Sequence, residues 1–247
     1  MDERFDRPVV TLGLRGVPHF AREAMRAIYG HVVERRASSL SRAEVTAYFE
    51  SRSATDDSFD DLTDSSSWTY QRLLECAPVR AVLATSDPDA GVVDYGCGRG
   101  ALRGVIKALS SNHLYVGYDI DRFAISRHAG AGGRAAFTTT LPVLQFGVAF
   151  LVNVLVYTSD VELDAVLDEV MSLLAPDGAL IVVEPWPAWY WETCFAGLRL
   201  RMREREKVDA ALAQRGRHLV DRATLALFGW RGHAIAPIAW LGVWRPS

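Results

Sequence analysis

The chain has 247 residues, of which 49 % are hydrophobic, and this length suits one α/β domain with an appended segment and a sizeable core. A formal net charge of −3 excludes a global positive field that would attract nucleic acid or an anionic membrane. The longest apolar run, residues 148–157, is too short to span a bilayer, the charged N-terminus lacks a signal-peptide core, and the cysteines have no CxxC spacing. We therefore expect a cytoplasmic protein with reduced cysteines and no membrane span.

The first 85 residues, which precede the first predicted sheet strand, are expected to be helical. Residues 19–36 carry apolar side chains close to a helical period, and residues 41–44 form a capping box that opens a second helix. Residues 68–84 form a third helix. Between these last two, residues 53–67 are acidic, polar and rich in Ser and Thr, which predicts an exposed loop.

The rest of the chain, residues 86–247, alternates short apolar segments with helical ones. Strands are predicted at residues 92–94, 114–119, 134–139, 146–153, 178–184, 233–238 and 240–244. Helices are predicted at residues 101–109, at residues 121–128, behind a capping box at residues 159–162, and at residues 221–228. This order predicts an α/β fold: a Rossmann-like, doubly wound, mostly parallel seven-stranded sheet with an antiparallel C-terminal strand, which binds ligands at its C-terminal edge.

The chain is organised around residues 92–100, where an apolar strand ends in an acid and a glycine-rich turn follows. The glycines Gly96, Gly98 and Gly100 allow positive φ and let a ligand approach the bare backbone. The first amides of the following helix can donate to that ligand. Together with Ala101 these glycines also satisfy the dinucleotide pattern, so the loop alone leaves two cofactor classes open.

Two neighbouring acids bear on that choice. Asp94 lies two residues before the first glycine, where a carboxylate can meet an ammonium group but would repel a pyrophosphate. Asp119 ends the next strand and is placed to accept hydrogen bonds from ribose hydroxyls, although NAD-binding folds use an acid in the same way. Asp94 therefore favours an amino-acid cofactor over a dinucleotide.

Residues 92–184 resemble the class I S-adenosylmethionine (SAM)-dependent methyltransferase family, of the small-molecule type. The resemblance rests on the acid-then-glycine turn, on Asp119, and on the helix end, Pro-Asp-Gly turn and buried strand of residues 173–184. It implies a helical lid over residues 1–85, a SAM-binding domain over residues 86–247, and SAM as cofactor with S-adenosylhomocysteine (SAH) as product. The implied contacts are Asp94, Gly96, Cys97, Gly98 and Gly100 for the methionine part, Asp119 for the ribose, Ile120 beside the adenine, Asn153 and Val154 facing the transferred methyl, and the lid residues Tyr70 and Arg72 near the donor carboxylate. For the two lid residues, ordinary packing is the alternative.

The sequence departs from the family pattern near the adenine. Many relatives have an acid after the third strand, whereas residues 138–142 here supply only hydroxyls. The Phe-Asp that opens the fourth strand in relatives is Phe146-Gly147 in this chain. Thr139 is therefore a candidate adenine contact, and the adenine contacts stay open. Donor binding can survive the loss of one hydrogen bond of about 1 kcal/mol.

Methyl transfer demands little proton chemistry, because the sulfonium already activates the methyl group and alignment of the acceptor can supply about 7–11 kcal/mol. A base matters only if the acceptor carries a proton. Tyr157 and Glu184 are the polar candidates after the fourth and fifth strands, and His19 is the candidate in the lid. For each of them a purely structural role is the alternative.

No metal site is predicted. No pair of histidines has metal-ligand spacing. The acids of residues 56–61 have the spacing of a metal–diphosphate motif, but they lie in a loop-like stretch without a partner motif, so a solvated acidic loop is the favoured interpretation.

An aromatic insertion over residues 185–220 follows the fifth strand. Residues 185–191 are rich in Trp and Tyr, which can stack on flat ligands, so they are predicted either to wall a pocket for an apolar or aromatic acceptor or to pack under the lid. The arginines from Arg199 to Arg205 are expected on a solvated helix face, with docking of an anionic acceptor or carrier domain as the alternative.

The favoured function is a methyltransferase that acts on a small molecule, in a biosynthetic pathway such as that of a natural product. The alternatives are a SAM-binding enzyme that does not methylate, such as a cyclase, a protein methyltransferase, and an NAD oxidoreductase. Methylation of nucleic acid is disfavoured, because the residues after Asn153 are not the Pro-Pro-Tyr loop used on base amines and no basic groove is evident.

Overall fold

A computed structural model describes residues 6–10, 41–55, 68–128, 132–185, 192–195, 198–201, 203–230 and 233–247. The helices are α1 Arg42–Thr55, α2 Trp68–Glu75, α3 Ala77–Thr85, α4 Ala101–Leu109, α5 Arg122–Ser126, α6 Asp160–Leu173 and α7 Arg205–Ala213. The strands are β1 Asp6–Val10, β2 Val92–Tyr95, β3 Tyr115–Tyr118, β4 Ala135–Thr138, β5 Phe146–Val152, β6 Leu174–Pro185, β7 Glu192–Phe195, β8 Leu198–Arg201, β9 Arg217–Trp230 and β10 His233–Pro246. The predicted helix over residues 19–36, the acidic motif of residues 56–61 and the aromatic residues 186–191 lie outside the described residues.

The main sheet has the strand order β1-β9-β10-β6-β5-β2-β3-β4. β10 runs antiparallel to β6 and β9, whereas the other neighbouring pairs are parallel. The predicted seven-stranded, mostly parallel sheet with an antiparallel C-terminal strand is therefore confirmed. β1 adds an eighth strand at the edge, where it pairs in parallel with β9. It lies in the N-terminal segment that the sequence predicts to be largely helical and to precede the first sheet strand.

The core lies on both faces of the sheet, because successive residues of a strand point to opposite faces. Val92 belongs to the cluster packed under α2, α3 and α4, and the next residue, Val93, belongs to the cluster under α6 and α7. β2 is buried along its whole length, as a central parallel strand covered by helices should be. The strand that leads to the glycine-rich turn is thus paired with a strand on each side and covered by helices on each face.

The predicted third helix over residues 68–84 is two helices, α2 and α3, with Cys76 between them. Pro78 lies in the first turn of α3. Proline has no amide hydrogen to donate to the preceding turn, so it begins a new helix more readily than it continues an old one. The Cys76 amide instead closes a tight turn on the Leu73 carbonyl at 3.2 Å.

The predicted helix over residues 221–228 is wrong, because these residues belong to β9. Residues 223–226 are all buried between β10 and β1, so no solvent face exists for an amphipathic helix. Antiparallel pairing with β10 overrides the helix propensity of the alanines and leucines. The predicted terminal pair, residues 233–238 and 240–244, is one strand with an irregularity between Pro237 and Ala239.

The predicted arginine-bearing helix is also wrong over its first part, since residues 198–201 form β8, which pairs with β7 in a separate two-stranded sheet. Leucine and arginine alternate there with the period of a strand. The helix α7 begins only at Arg205. Arg203, expected on a solvated face, is 5 % exposed.

Candidate active site

The site lies at the carboxyl ends of β2 and β5, where the strand order reverses. The chain runs from β2 outward to β3 and β4 and then crosses to β5 on the other side of β2. Such a switch point opens a crevice between the two following loops. The two loops are in contact here: a Cβ on Gly96 would lie 2.6 Å from Cγ2 of Val154, and Gly96 has φ +76°. Only glycine satisfies both the backbone angle and the close approach at this position.

Four amides of the loop between β2 and α4 already donate within the protein. Gly96 and Cys97 donate to the Tyr118 carbonyl at 2.8 and 3.0 Å, Gly98 to Oδ2 of Asp119 at 2.7 Å, and Gly100 to the Cys97 carbonyl at 2.8 Å. A cradle for a pyrophosphate requires such amides to be free. The geometry of the loop therefore disfavours the dinucleotide interpretation.

Asp94 presents a buried carboxylate beneath this loop. It is 2 % exposed, and its Oδ2 accepts a hydrogen bond from the Tyr115 hydroxyl at 2.6 Å. Burial raises the pKa of Asp94 to about 7, although the Tyr115 hydrogen bond acts in the opposite direction. The negative charge of Asp94 in turn adds to the effect of burial in raising the pKa of Tyr70, which places Tyr70 within electrostatic reach. A buried carboxylate with one neutral donor suits a cationic ligand.

Asp119 ties the glycine-rich loop to the end of β3. Its Oδ2 accepts from the Gly98 amide, and its Oδ1 accepts from the Asp121 amide at 2.8 Å. Burial raises the pKa of Asp119, and the two amides lower it. Each carboxylate oxygen can accept a further hydrogen bond, so both still have capacity for a ligand hydroxyl.

Glu184, at the end of β6, is fully buried and holds the turn that follows β5. Its Oε1 accepts from the amides of Val154 and Leu155 at 2.9 and 2.7 Å, and its Oε2 accepts from the amide of Val156 at 2.9 Å. Burial raises the pKa of Glu184 to about 8, while the three amides and Arg203 act in the opposite direction. Both oxygens are engaged by backbone, which suits a group that shapes the site rather than one that exchanges protons with a ligand.

The turn after β5 carries two of the predicted site residues. Asn153 has φ +57°, a left-handed conformation that asparagine tolerates better than most residues. Tyr157 closes the turn, and its ring meets that of Phe49 edge-on at 5.1 Å. Phe49 belongs to α1, so the N-terminal segment reaches this edge of the site.

α1 is anchored to the body at its first residue. The Arg42 guanidinium pairs with Glu169 of α6 at 2.5 Å and donates to the hydroxyls of Tyr95 and Tyr118 at 3.3 and 3.1 Å. Two turns further along α1, Glu50 pairs with Arg122 of α5 at 3.2 Å. These contacts thus hold α1 across the carboxyl edge of the sheet.

Comparison with solved structures finds the same architecture in methyltransferases. A Burkholderia thailandensis 1,6-didemethyltoxoflavin-N1-methyltransferase with bound 1,6-didemethyltoxoflavin and SAH aligns with a TM-score of 0.61 at 19 % identity, over 87 % of this chain and 97 % of that one. A magnesium protoporphyrin IX methyltransferase from Synechocystis with bound SAH aligns at 0.58 and 18 % identity, over 84 % and 100 % of the two chains. The CcbJ methyltransferase from Streptomyces caelestis aligns at 0.53 and 15 % identity, over 68 % and 88 %.

The chain has the class I SAM-dependent methyltransferase fold. No protein-family profile and no curated protein sequence matches the chain at a significant level.

Within this methyltransferase fold, the predicted site residues fall into two groups. The carboxylates and glycines of residues 94–100, Asp119, Asn153 and Val154 meet around the switch point, and Tyr70 lies on α2 beside them. The Cys97 thiol is buried beneath the loop, 2.8 Å from where a Cβ of Gly117 would lie, so only the backbone of Cys97 is available to a ligand.

The other predicted residues are more peripheral. Ile120 is half-buried against the core under α6, whereas Thr139 is exposed beyond β4. Arg72 is buried on α2 and pairs with Glu75 at 3.2 Å. His19 lies outside the described residues.

Sequence analysis does not predict two side-chain contacts near the site. The hydroxyl of Tyr115 reaches Asp94 from the neighbouring strand, and Phe137 stacks on His128 at 3.9 Å beside Gly100. The pairing of β2 with β3 brings Tyr115 beside Asp94. Phe137 of β4 and His128, which follows α5, meet only in the folded chain, so neither contact follows from a local sequence pattern.

Two further observations concern metals and membranes. Across the ranges that the structure describes, no group of His, Cys, Asp or Glu side chains is arranged to hold a metal ion. Among the same residues, none of the helices has the length and apolar character needed to cross a bilayer.

Proposed function

We propose that this protein is a SAM-dependent methyltransferase that transfers a methyl group to a small-molecule acceptor. The observation that carries the proposal is the pairing of a buried carboxylate, Asp94, with a glycine-rich loop in which the amides of Gly96, Cys97, Gly98 and Gly100 already donate within the protein. That pairing suits the ammonium end of an amino acid and opposes a pyrophosphate.

The electrostatics of the site favour a cation. Burial raises the pKa values of both Asp94 and Asp119, and the negative charge of Asp119 further raises the pKa of Asp94. A bound cation relieves both effects, since it restores to a buried carboxylate the partner that water would otherwise provide. SAM carries an ammonium and a sulfonium, whereas NAD would bring further negative charge.

Asp94 would bind the ammonium group of the methionine part, and Asp119 would accept from the ribose hydroxyls through the capacity left on its two oxygens. Ile120 offers an apolar surface for the adenine. Thr139 is a weaker candidate, because it is exposed beyond β4.

Bound SAM supplies an already activated methyl group, so the chain needs chiefly to align an acceptor and keep water out. The turn after β5 and the facing Phe49 of α1 are suited to that task. Tyr157, whose ring contacts Phe49, brings a polar hydroxyl group to this turn. The acceptor class is supported by the solved structures with the same fold, two of which are named for small-molecule substrates. We assign the lid to the N-terminal segment that includes α1 and the acceptor side to the insertion over residues 185–220.

Cofactor binding is tested by thermal shift. SAM and SAH should raise the melting temperature of the wild-type protein and NAD should not. Asp119→Ala should abolish the shift, whereas Asp177→Ala, which removes an exposed acid at the opposite edge of the sheet, should retain it. Equal stabilisation by NAD, or a full SAH shift in Asp119→Ala, would contradict the proposal.

Methyl transfer itself is tested with SAM labelled in the methyl group. On incubation with the protein and a fractionated cell extract, the label should move into molecules that pass a small-pore filter. Label retained by protein would indicate a protein methyltransferase. No transfer despite tight SAH binding would indicate a SAM-binding enzyme of another kind, such as a cyclase.

A further inference from the structure

Arg203 is a buried cation outside the residues assigned above. It lies two residues beyond β8 and just before α7, and it is 5 % exposed. All the nitrogen atoms of its guanidinium are engaged by the segment that follows β5: Nε donates to the Leu155 carbonyl at 3.2 Å, Nη2 to the Thr158 carbonyl, and Nη1 pairs with Asp160 at 2.5 Å. Planar, forked donors of this kind hold several acceptors in one geometry.

The same turn is held from its other side by Glu184, which accepts from the amides of Val154, Leu155 and Val156. The Leu155 amide therefore donates to the Glu184 carboxyl group, and the Leu155 carbonyl accepts from the Arg203 guanidinium. Glu184 satisfies three amides of the turn, and Arg203 donates to the Thr158 carbonyl and adds a second donor to the Leu155 carbonyl, which also accepts from the Thr158 amide at 3.1 Å. Neither group alone fixes both ends of the turn.

The turn is the part of the site that contacts both substrates in the proposed function. Its Val154 packs on Gly96 of the cofactor loop, and Tyr157 meets Phe49 on the other side. A shift of about 1 Å in such an element can cost a hundredfold in rate. The contacts that hold this turn therefore control the alignment of the acceptor with the methyl group of the cofactor.

Arg203 is itself held in place within the insertion. Its carbonyl accepts from Nε1 of Trp240 at 2.9 Å, and Trp240 is buried in the core beneath α6 and α7. The strand that ends just before it, β8, runs beside the Leu155–Tyr157 turn. Through these contacts Arg203 connects the insertion to the turn after β5 and to the core.

We propose that Arg203 is a positioning residue for methyl transfer, which holds the turn after β5 in register with the cofactor loop and couples it to the insertion. This inference rests on the proposed function for its link to the reaction. It does not require Arg203 to touch either substrate. Loss of Arg203 should loosen the turn and slow transfer while leaving the cofactor contacts of Asp94 and Asp119 in place.

The experiment compares the full-length wild type with Arg203→Met, Arg203→Lys and a matched control, Arg215→Met. Arg215 also pairs with acids of α6, Asp164 and Asp168, at 2.9 and 2.7 Å, but it makes no contact with the turn in the described part of the chain. Hydrogen–deuterium exchange of residues 153–158 and SAH affinity by calorimetry are measured for each protein.

In Arg203→Met the turn should exchange at least about tenfold faster, because two charge-assisted hydrogen bonds to its carbonyls and the ion pair with Asp160 are lost. The SAH dissociation constant should change less than threefold. Arg203→Lys should give an intermediate rate, since it keeps the charge but cannot bridge both carbonyls, and Arg215→Met should match the wild type. Wild-type exchange of the turn in Arg203→Met, or in Arg203→Lys should the methionine variant not fold, would overturn the inference.

Kinetics separate positioning from a structural role. With the acceptor found by label transfer, kcat of Arg203→Met should fall at least tenfold at an unchanged KM for SAM. An unchanged kcat would overturn the inference. Failure of the wild type to bind SAH would instead overturn the proposed function, while the exchange measurement would still decide whether Arg203 holds the turn.

Discussion

Replacement of Glu184 should destabilise the protein, because its carboxyl group is the acceptor for three buried amides. Glu184→Gln keeps one oxygen for the amides of Val154 and Leu155 but turns an NH2 group toward the amide of Val156. This loss does not depend on the protonation state of Glu184, since a protonated carboxyl can still accept at both oxygens.

The magnitude follows from the cost of an unpaired buried donor. One such donor costs about 1–3 kcal/mol, so Glu184→Gln should lower the melting temperature by roughly 4–8 °C for a cost of about 2 kcal/mol in a chain of this size. Glu184→Ala leaves all of the amides unpaired and should cost about 3–5 kcal/mol. The matched control Glu206→Gln removes an exposed acid and should stay within about 0.5 kcal/mol of the wild type.

The assay is chemical denaturation of the wild type and the variants, followed by methyl transfer at saturating SAM. A positioning role predicts that stability and transfer fall together from Glu206→Gln to Glu184→Gln to Glu184→Ala. If Glu184→Gln kept wild-type stability and lost transfer, Glu184 would act as a general base and the reasoning from its amide contacts would be refuted.

Three further predictions concern other parts of the site. Burial raises the pKa of Asp94 to about 7, so the carboxyl group takes up a proton below that pH. SAH should therefore bind about tenfold more weakly at pH 6 than at pH 8. Calorimetry should show that Asp94→Asn removes this pH dependence. Gly96→Ala should lower the free energy of unfolding by about 2–4 kcal/mol, because φ is +76° and the new Cβ would lie 2.6 Å from Val154. The control Gly132→Ala, where nothing lies within 4 Å of the new Cβ, should leave the free energy of unfolding unchanged. Equal losses of stability in the two variants would count against this reasoning. Arg42→Met should speed hydrogen exchange in α1 with little change in SAH affinity, and unchanged exchange would show that the contacts of Arg42 do not hold α1 in place.

The elements that sequence predicted well are those whose signals are local. The strand, turn and helix of residues 92–109 are predicted from consecutive residues. The apolar strand, the glycines and the helical spacing of apolar residues can each be recognised without reference to distant parts of the chain. The capping box at residues 41–44 also forms as predicted, with the Ser41 amide donating to Glu44 at 2.7 Å. By contrast, the helix that the sequence predicts over residues 221–228 does not form, because pairing with β10 rather than local composition makes this segment a strand.

The sequence by itself predicted a doubly wound, mostly parallel sheet, and it placed Asp94, the glycines and Asp119 at one edge, since parallel strands bring their carboxyl ends together. Tertiary structure alone decided how Glu184 and Arg203 are used. Each had been assigned from its neighbours in the chain, as a possible base and as part of a solvated face. The partners of both are backbone groups of a turn some thirty to fifty residues away along the chain. A buried polar group takes its role from the unpaired donors and acceptors that folding brings to it, and those are set by strand register and burial rather than by adjacent residues.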